Sequence, residues 1–554
     1  MNAYPSEYQK HVKLMIIGLD GATWTVIDPL IKAGLMKNLG GIIEKSAKGI
    51  LNSIIPPVTG PAWPVLATGL NPGRLGTYDF YNRANLIDSN LYPVRSRMIR
   101  GKTFWDSLSN KGFRIGIFNY PMLIPAYEIN GWMIAGLGAS KLHNWAWPNN
   151  LKEELEKFAN PYRISISYGE TQYLNNLTKL LIDLGEMHNN HINALEYLLK
   201  KYPVDILVSI FSITDILSHT TWHIIDKQHP LYDEKVAECF LPTIKELWKT
   251  VDYGIGNLFR YLHPNGNVLF VSDHGFGPNF GVFNINVWLE RNGYLTRNNK
   301  LSQASNKLRA KLVNKLSPCL SNFFGKIQGS RAHLGLRESV LREIDLSRTK
   351  AFSLETTDVC GMVFINREYP RINHLNEDQF VANTTAEIKE KLVRYASTTD
   401  LEFEIFSSRD IYHGDFTMLA PELIFKVNDS AVSVNYKLAD QILENRQHHL
   451  LKTGNHRQEG IFVGYGSKFL KGFNLAEPIS ILDITPTIYQ ILGEPIPKGL
   501  DGQAAIDALG QGFRKTQYCD TCGNVKPGSE LPSQMERSEI EEMHRRLRDL
   551  GYIE

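Results

Sequence analysis

Short apolar runs with few polar breaks recur along the chain, and three of them run into an acidic residue. Leu14-Met15-Ile16-Ile17-Gly18-Leu19 meets Asp20-Gly21, Asp205 to Phe211 leads to Thr214-Asp215, and Asn267 to Ser272 meets Asp273-His274. Runs of this length without alternation predict strands buried on both faces of a parallel sheet. A further strand is predicted over Phe113–Phe118. Between the strands, apolar residues fall at helical spacing over Thr25–Ala47, Thr103–Asn110, Leu174–Lys201 and about Asp233–Leu262. This alternation predicts an α/β fold: an α/β/α sandwich with a mostly parallel central sheet. Such sheets bind ligands beyond the carboxyl ends of their strands, where the three acids stand.

A different pattern surrounds Thr59. The extended Ile54-Ile55-Pro56-Pro57-Val58 segment precedes Gly60-Pro61-Ala62-Trp63-Pro64, and proline is tolerated only in a helix's first turn. A helix therefore starts near Thr59. Free N–H groups and the positive end of the helix dipole make that position an anion site, although threonine there also reads as a plain N-cap. Gly69-Leu70-Asn71-Pro72-Gly73 closes the segment as a turn.

The later chain is more mixed. Leu142–Tyr168 reads as a loop or partial cap. Arg297–Arg342 is rich in Lys and Arg at helix-compatible spacing, which fits a basic amphipathic cap or a solvated helical insertion. Thr349–Val427 reads as strands with one helix over about Asp378–Arg394, and Pro421–Val427 as a strand. Gly454–Gly460 precedes the apolar run Ile461–Gly464, and Ile479–Leu492 predicts a helix. The tail carries Cys519 and Cys522, half of a zinc-site ligand set, and a charged helix over about Glu536–Leu550. The expected organisation is a first core part over 13–295, a basic insertion or cap over 296–348, the rest of the core with a smaller mixed portion over 349–505, and a tail over 506–554.

Composition narrows the class. The chain has 554 residues, 43% hydrophobic and 21% charged, with a formal charge of +2. That is a globular composition with no overall bias toward nucleic acid or membranes. The segment Met1–Lys13 lacks an apolar signal core, and no apolar run is long enough to span a bilayer. Five cysteines do not make a disulfide framework, so the default expectation is cytoplasmic.

The candidate chemistry is carried by Asp20, Thr59, Asp215, His219, Asp273, His274 and His456. All but Thr59 are carboxylate or imidazole, the ligand types of first-row metals. Asp215 and His219 are four apart, on one face of a helical turn. Each residue taken alone also reads as a turn acid or a loop histidine. Together they suit two divalent ions about 3.5–4 Å apart, an arrangement used for phosphoryl transfer. A threonine hydroxyl attacks only when a base or cation takes its proton.

These motifs resemble the alkaline phosphatase superfamily, and within it the type I phosphodiesterase/nucleotide pyrophosphatase branch, including its predicted phosphohydrolase/phosphomutase proteins. The resemblance runs over about Lys13–Leu295 and Ala351–Gly502, with Asp483-Ile484-Thr485-Pro486-Thr487 in support. It implies an alkaline phosphatase-like sandwich with a cap insertion, and a phosphoric ester hydrolase acting mainly on diesters. It implies Thr59 as nucleophile, forming a phosphothreonine, and as a bridge toward one metal. Asp20, Asp273 and His274 would hold that metal, and Asp215, His219 and His456 a second. Zinc is the branch's usual ion, and manganese fits the ligand types. His223 continues the Asp215/His219 face but is not used by the family pattern. Position 59 is Thr, unlike the sulfatases' Cys or Ser and the Ser of cofactor-independent phosphoglycerate mutases. Arg74, the nearest candidate for a monoesterase phosphate clamp, reads as a loop residue. The alternatives are a phosphomonoesterase or phosphomutase, or a non-hydrolytic anion-binding protein using the basic segment. The expected partner is a small-molecule or headgroup phosphate ester, with oligomeric state open.

Overall fold

The computed structural model describes residues 10–82, 92–139, 144–158, 162–298, 340–354, 357–445 and 452–520, and Arg545. Nearly all of the basic 297–342 segment, Cys522 and almost all of the charged helix expected over 536–550 lie outside the described residues.

The strand Val12–Leu19 sits at the middle of the main sheet, parallel to Leu262–Val271 on one side and Ile206–Phe211 on the other. Parallel strands Ile115–Tyr120 and Gly131–Ala135 continue the second side. Glu459–Gly466 joins the first side antiparallel, and pairs antiparallel with Ala47–Asn52. The sheet is thus mostly parallel, and successive side chains of its central strand feed two different cores. Met15, Ile17 and Leu19 pack with the helices Leu177–Lys201 and Glu234–Leu258. Leu14 and Ile16 pack with Thr59–Thr68, Phe104–Asn110 and Ile484–Leu492. Helices on both faces make the expected α/β/α sandwich, because every central strand is apolar on both sides.

A second, smaller sheet runs in the order Ala351–Phe352, Gly361–Ile365, Leu423–Val427, Phe403–Ser407, antiparallel throughout. Helix Glu377–Ala396 buries Val381, Ile388 and Leu392 in the same core. That core also takes in Val58 and Phe80, so the smaller sheet packs toward the Thr59 side of the main one.

Some expectations need correction. The single helix expected over Thr25–Ala47 is two, Trp24–Lys32 and Lys37–Ile43, broken by Gly34 at φ +70°, and Ala47 opens a strand. Leu142–Tyr168, read as a loop or partial cap, holds the edge strand Ala146–Trp147 and the helix Leu151–Glu156. The helix expected from Ile479 starts as a 3-10 turn at Ile481 and becomes α-helical at Ile484. Among the described residues, no helix is long and apolar enough to cross a membrane.

Helix Leu177–Lys201 buries two histidines under the sheet. Burial depresses His188 to about 3 and His191 to about 4. Both are neutral in the folded chain, whereas the unfolded chain protonates them near 6.5, so the unfolded state binds more protons as the pH falls. Their contribution is present above pH 6.5 and is lost progressively toward pH 3–4. At pH 5 each is expected to reduce stability by about 2 kcal/mol. Thermal unfolding of wild type and His188→Gln between pH 7.5 and 5 checks this: the variant's melting point should fall less steeply.

Candidate active site

Strand register brings Asp20 and Asp273 to one level, with the start of the Asp215 helix beside them. Gly18 lies opposite both Ile210 and Val271, so Asp20, Ser212 and Asp273 fall level, each two residues further on. From Ser212 the chain turns directly into helix Ile213–Ile225, which carries Asp215 and His219. Thr214 fastens that turn by donating its hydroxyl to the Asp20 carbonyl at 2.6 Å. Gly21 has φ +64°, and a Cβ there would lie 2.6 Å from Phe276 and 3.2 Å from His274, so the bend after Asp20 needs glycine.

His456 arrives from far along the chain. Strand Gly454–Arg457 pairs antiparallel with Gly275–Pro278, which sets His456 across from Phe276. Thr59 is the first residue of helix Thr59–Thr68, with extended Val58 as the N-cap. It is therefore one position inside the helix, and its hydroxyl is directed to His274 Nε2 at 3.1 Å. At Gly60 a Cβ would meet the Phe80 backbone at 2.9 Å, so the residue after Thr59 is held against the Phe80 segment.

All seven residues anticipated from the sequence meet in one buried place, each at most 1% exposed. The donor atoms of Asp215, His219 and His456 lie within 4.8 Å of one another, as do those of Asp20, Asp273 and His274. The imidazoles share one orientation. Nδ1 of His219 faces the Gly454 carbonyl at 3.0 Å, that of His456 the Pro57 carbonyl at 3.0 Å, and that of His274 the Gly275 carbonyl at 3.1 Å. A carbonyl only accepts, so each Nδ1 carries the proton and each Nε2 offers a lone pair. His456 Nε2 and His219 Nε2 are 3.0 Å apart, and Asp215 Oδ1 is 3.6 and 3.5 Å from them. Two lone pairs at that distance repel unless a cation lies between them. Ligand atoms about 2.1 Å from a tetrahedral ion stand roughly 3.4 Å apart, matching this group.

The second group has the same character. Asp20 Oδ1 is 3.7 Å and Asp273 Oδ2 3.4 Å from His274 Nε2. Both oxygens are buried with no hydrogen-bond donor among the described residues, a costly state for a carboxylate unless a cation serves it. Burial, then the charges of Asp273 and Asp215, push the Asp20 carboxyl well above its usual range. Burial, then the Lys452 charge, holds His219 well below 6.5, and burial with His274 does the same to His456. Neutral imidazole is the ligating form. The donor set therefore fits divalent metal in both groups.

Phe276 walls this place on one side, its ring 4.7 Å from His219, 5.2 Å from His456 and 5.7 Å from His274. His223 is turned aside, its Nδ1 on the Thr453 hydroxyl at 2.9 Å. Arg74 lies in the short helix Pro72–Leu75 and is ion-paired with Asp501 at 3.1 Å, an engagement away from Thr59. Two residues escaped sequence reasoning. Asn82 follows the Phe80 segment, accepts from Thr77 at 3.0 Å, and keeps its amide NH₂ buried without an acceptor among the described residues. Lys452 pairs with Asp358 of the smaller lobe at 2.6 Å, just before the strand that carries His456. Neither lies in a patterned run, and only the assembled fold exposes them.

A parallel sheet that gathers carboxylates, neutral imidazoles and a hydroxyl at its carboxyl edge is the scaffold of a metal-assisted ester hydrolase. Residues 14–450 match the profile of the family described as Type I phosphodiesterase / nucleotide pyrophosphatase. The chain belongs to this family and is a hydrolase acting on phosphoric ester bonds, which sets aside the non-hydrolytic reading. Among solved structures, it is similar to murine ectonucleotide pyrophosphatase/phosphodiesterase 5, an inactive form in complex with AMP. The TM-score is 0.46 at 12% identity, covering 90% of this chain and 100% of that one. No curated protein matches the chain.

Proposed function

We propose that the chain is a phosphodiesterase that works through a phosphothreonine on Thr59. The observation that carries this reading is the Thr59 hydroxyl, 3.1 Å from His274 Nε2 and set beside two three-residue groups of metal-ligand type. Asp20, Asp273 and His274, with Thr59, would hold one divalent ion, and Asp215, His219 and His456 the other, zinc being favoured by the mixed O/N ligands. Such ions lower the pKa of a bound hydroxyl and offset charge on a phosphoryl group.

The residues' own work follows from their placement. Thr59 Oγ forms a bond to phosphorus as the ester's alkoxide departs and takes a proton. Water then attacks the phosphothreonine, which restores the hydroxyl and releases the phosphoryl product. Backbone N–H groups of the helix start at Thr59 donate to the non-bridging oxygens. Asn82, two residues past the Phe80 segment that packs on Gly60, is proposed as a further donor through its buried NH₂. Removing one such donor costs on the order of 10²-fold in turnover. Asn82→Ala is therefore expected to lower kcat by about that factor with KM changed much less, read by steady-state kinetics on an aryl phosphodiester.

Arg74's engagement with Asp501 favours diesters over monoesters, because no monoester dianion is clamped by it. The substrate is a small-molecule or headgroup phosphate ester. The deciding test offers aryl diester and monoester substrates and follows where phosphate goes. A diester preference of tenfold or more supports the reading; a monoester preference, or phosphate returned to a second position of the substrate, replaces it with a monoesterase or mutase.

A further inference from the structure

A cleft of about 1030 Å³ lies against the outer side of Phe276, and none of the seven site residues lines it. Its volume is at the upper end of small-molecule sites. Its floor is apolar, made of Leu30, Trp222, Leu241, Ile244, Trp248 and Phe276, from three helices of one core and the strand after Asp273. The Trp222 indole N–H is buried there without an acceptor among the described residues.

Lys426 and Arg457 stand on the polar part of the lining. Both cations are built into the wall, 4% and 9% exposed. Their acidic partners are not: Glu404, 2.5 Å from Lys426, is 58% exposed, and Asp429, 3.3 Å from Arg457 Nε, is 63% exposed. A buried cation is fixed and partly dehydrated, so an anion is strongly favoured beside it. An exposed carboxylate on a free side chain is a weak partner, worth about 0–1 kcal/mol. Glu404 and Asp429 are thus displaceable stand-ins for an anion held close to the apolar floor.

We propose that this cleft binds a single-chain amphiphile with an anionic head, of the long-chain carboxylate kind, taken up as a free molecule. The head replaces Glu404 and Asp429 on Lys426 and Arg457, and the chain lies along Trp222, Ile244 and Trp248. The site is joined to the catalytic centre by two contacts. Phe276 has the cleft on one side and the three imidazoles on the other, stacking on Trp222 at 6.1 Å. Arg457 follows His456 and donates to its carbonyl at 2.9 Å. This inference does not rest on the proposed Thr59 chemistry, and its test reads binding alone.

Titration calorimetry of the full chain with hexadecanoate below its micelle concentration is expected to show one saturable site. Hexadecanol and acetate should each bind at least tenfold more weakly. Lys426→Met and Ile244→Trp should each weaken hexadecanoate at least tenfold, with melting curves confirming that the variants fold. The discriminating variant is the surface double change Glu404→Gln with Asp429→Asn, which should tighten hexadecanoate several-fold because the resident competitors are gone. A general loss of structure would weaken binding instead. No saturable heat, equal binding of hexadecanol, or an unchanged affinity in the double variant overturns the assignment. When hexadecanoate is offered in phosphatidylcholine vesicles, the protein is expected to stay in the supernatant with the amphiphile; co-sedimentation with the vesicles overturns the free-molecule reading.

Discussion

Thr59→Ala is expected to lower turnover of an aryl phosphodiester on the order of 10⁴-fold, with melting temperature almost unchanged. The loss is large because the hydroxyl is the attacking atom of the proposed route and a methyl group cannot replace it. The structural effect is small. Thr59 is the first residue of its helix, Val58 supplies the cap position, and among the described residues its side chain makes one hydrogen bond, to His274. Deleting one such bond costs about 1 kcal/mol. Thr59→Ser keeps the oxygen in place and should retain most turnover. Rapid acid quenching during turnover should trap phosphate on a peptide containing Thr59 in the wild type and none in the alanine variant. An alanine variant within tenfold of wild type would falsify the covalent route, because water alone would then be attacking.

Removing metal should abolish turnover and soften the fold together. Three carboxylates and three imidazoles, at most 1% exposed, are packed into one space. Without cations they leave buried acceptors facing one another, an arrangement several kcal/mol less favourable than the ligated one. A ligand at a thousand times its dissociation constant stabilises by about 4 kcal/mol, so readdition of zinc after chelation should raise the melting temperature measurably. His456→Ala removes one of three donors in its group and should leave one tightly held ion per chain by elemental analysis. Activity should fall on the order of 10³-fold, since an oxygen-stabilising charge is lost with the ion. Two retained ions in that variant would show that His456 is not a ligand. Full activity after exhaustive chelation would remove metal from the chemistry altogether.

Asp20 and Asp273 were legible because each ends an apolar run, and runs of that kind become strands whose far ends meet. The Asp215/His219 pair was legible from four-residue spacing. His456 was not readable from its own neighbourhood. It was a candidate by residue type alone, likeness to a family gave it a place among the ligands, and it reaches the site only because Gly454–Arg457 pairs with Gly275–Pro278. Strand Ala47–Asn52 went unread, with Ala47 placed at the end of the helix expected from Thr25, because its strand form depends on Glu459–Gly466, over four hundred residues on. Strand Gly131–Ala135 went unread because a glycine and a tryptophan open it, and its identity comes from pairing with Ile115–Tyr120. The Lys426/Arg457 cleft is assembled from distant segments, so no local pattern announces it.

The order in which the donors leave the ribosome has a consequence for biosynthesis. Asp20, Asp215, His219, Asp273 and His274 are all made before the smaller lobe, and His456 only after it. Domains form as the chain emerges, at a few residues per second or faster. A polypeptide still in translation can present one triad of donors while the other lacks a member. On the proposed two-ion reading, the first group takes its ion before that last strand docks and the second ion must wait for it, so uptake of the second ion reports that synthesis has passed the final donor.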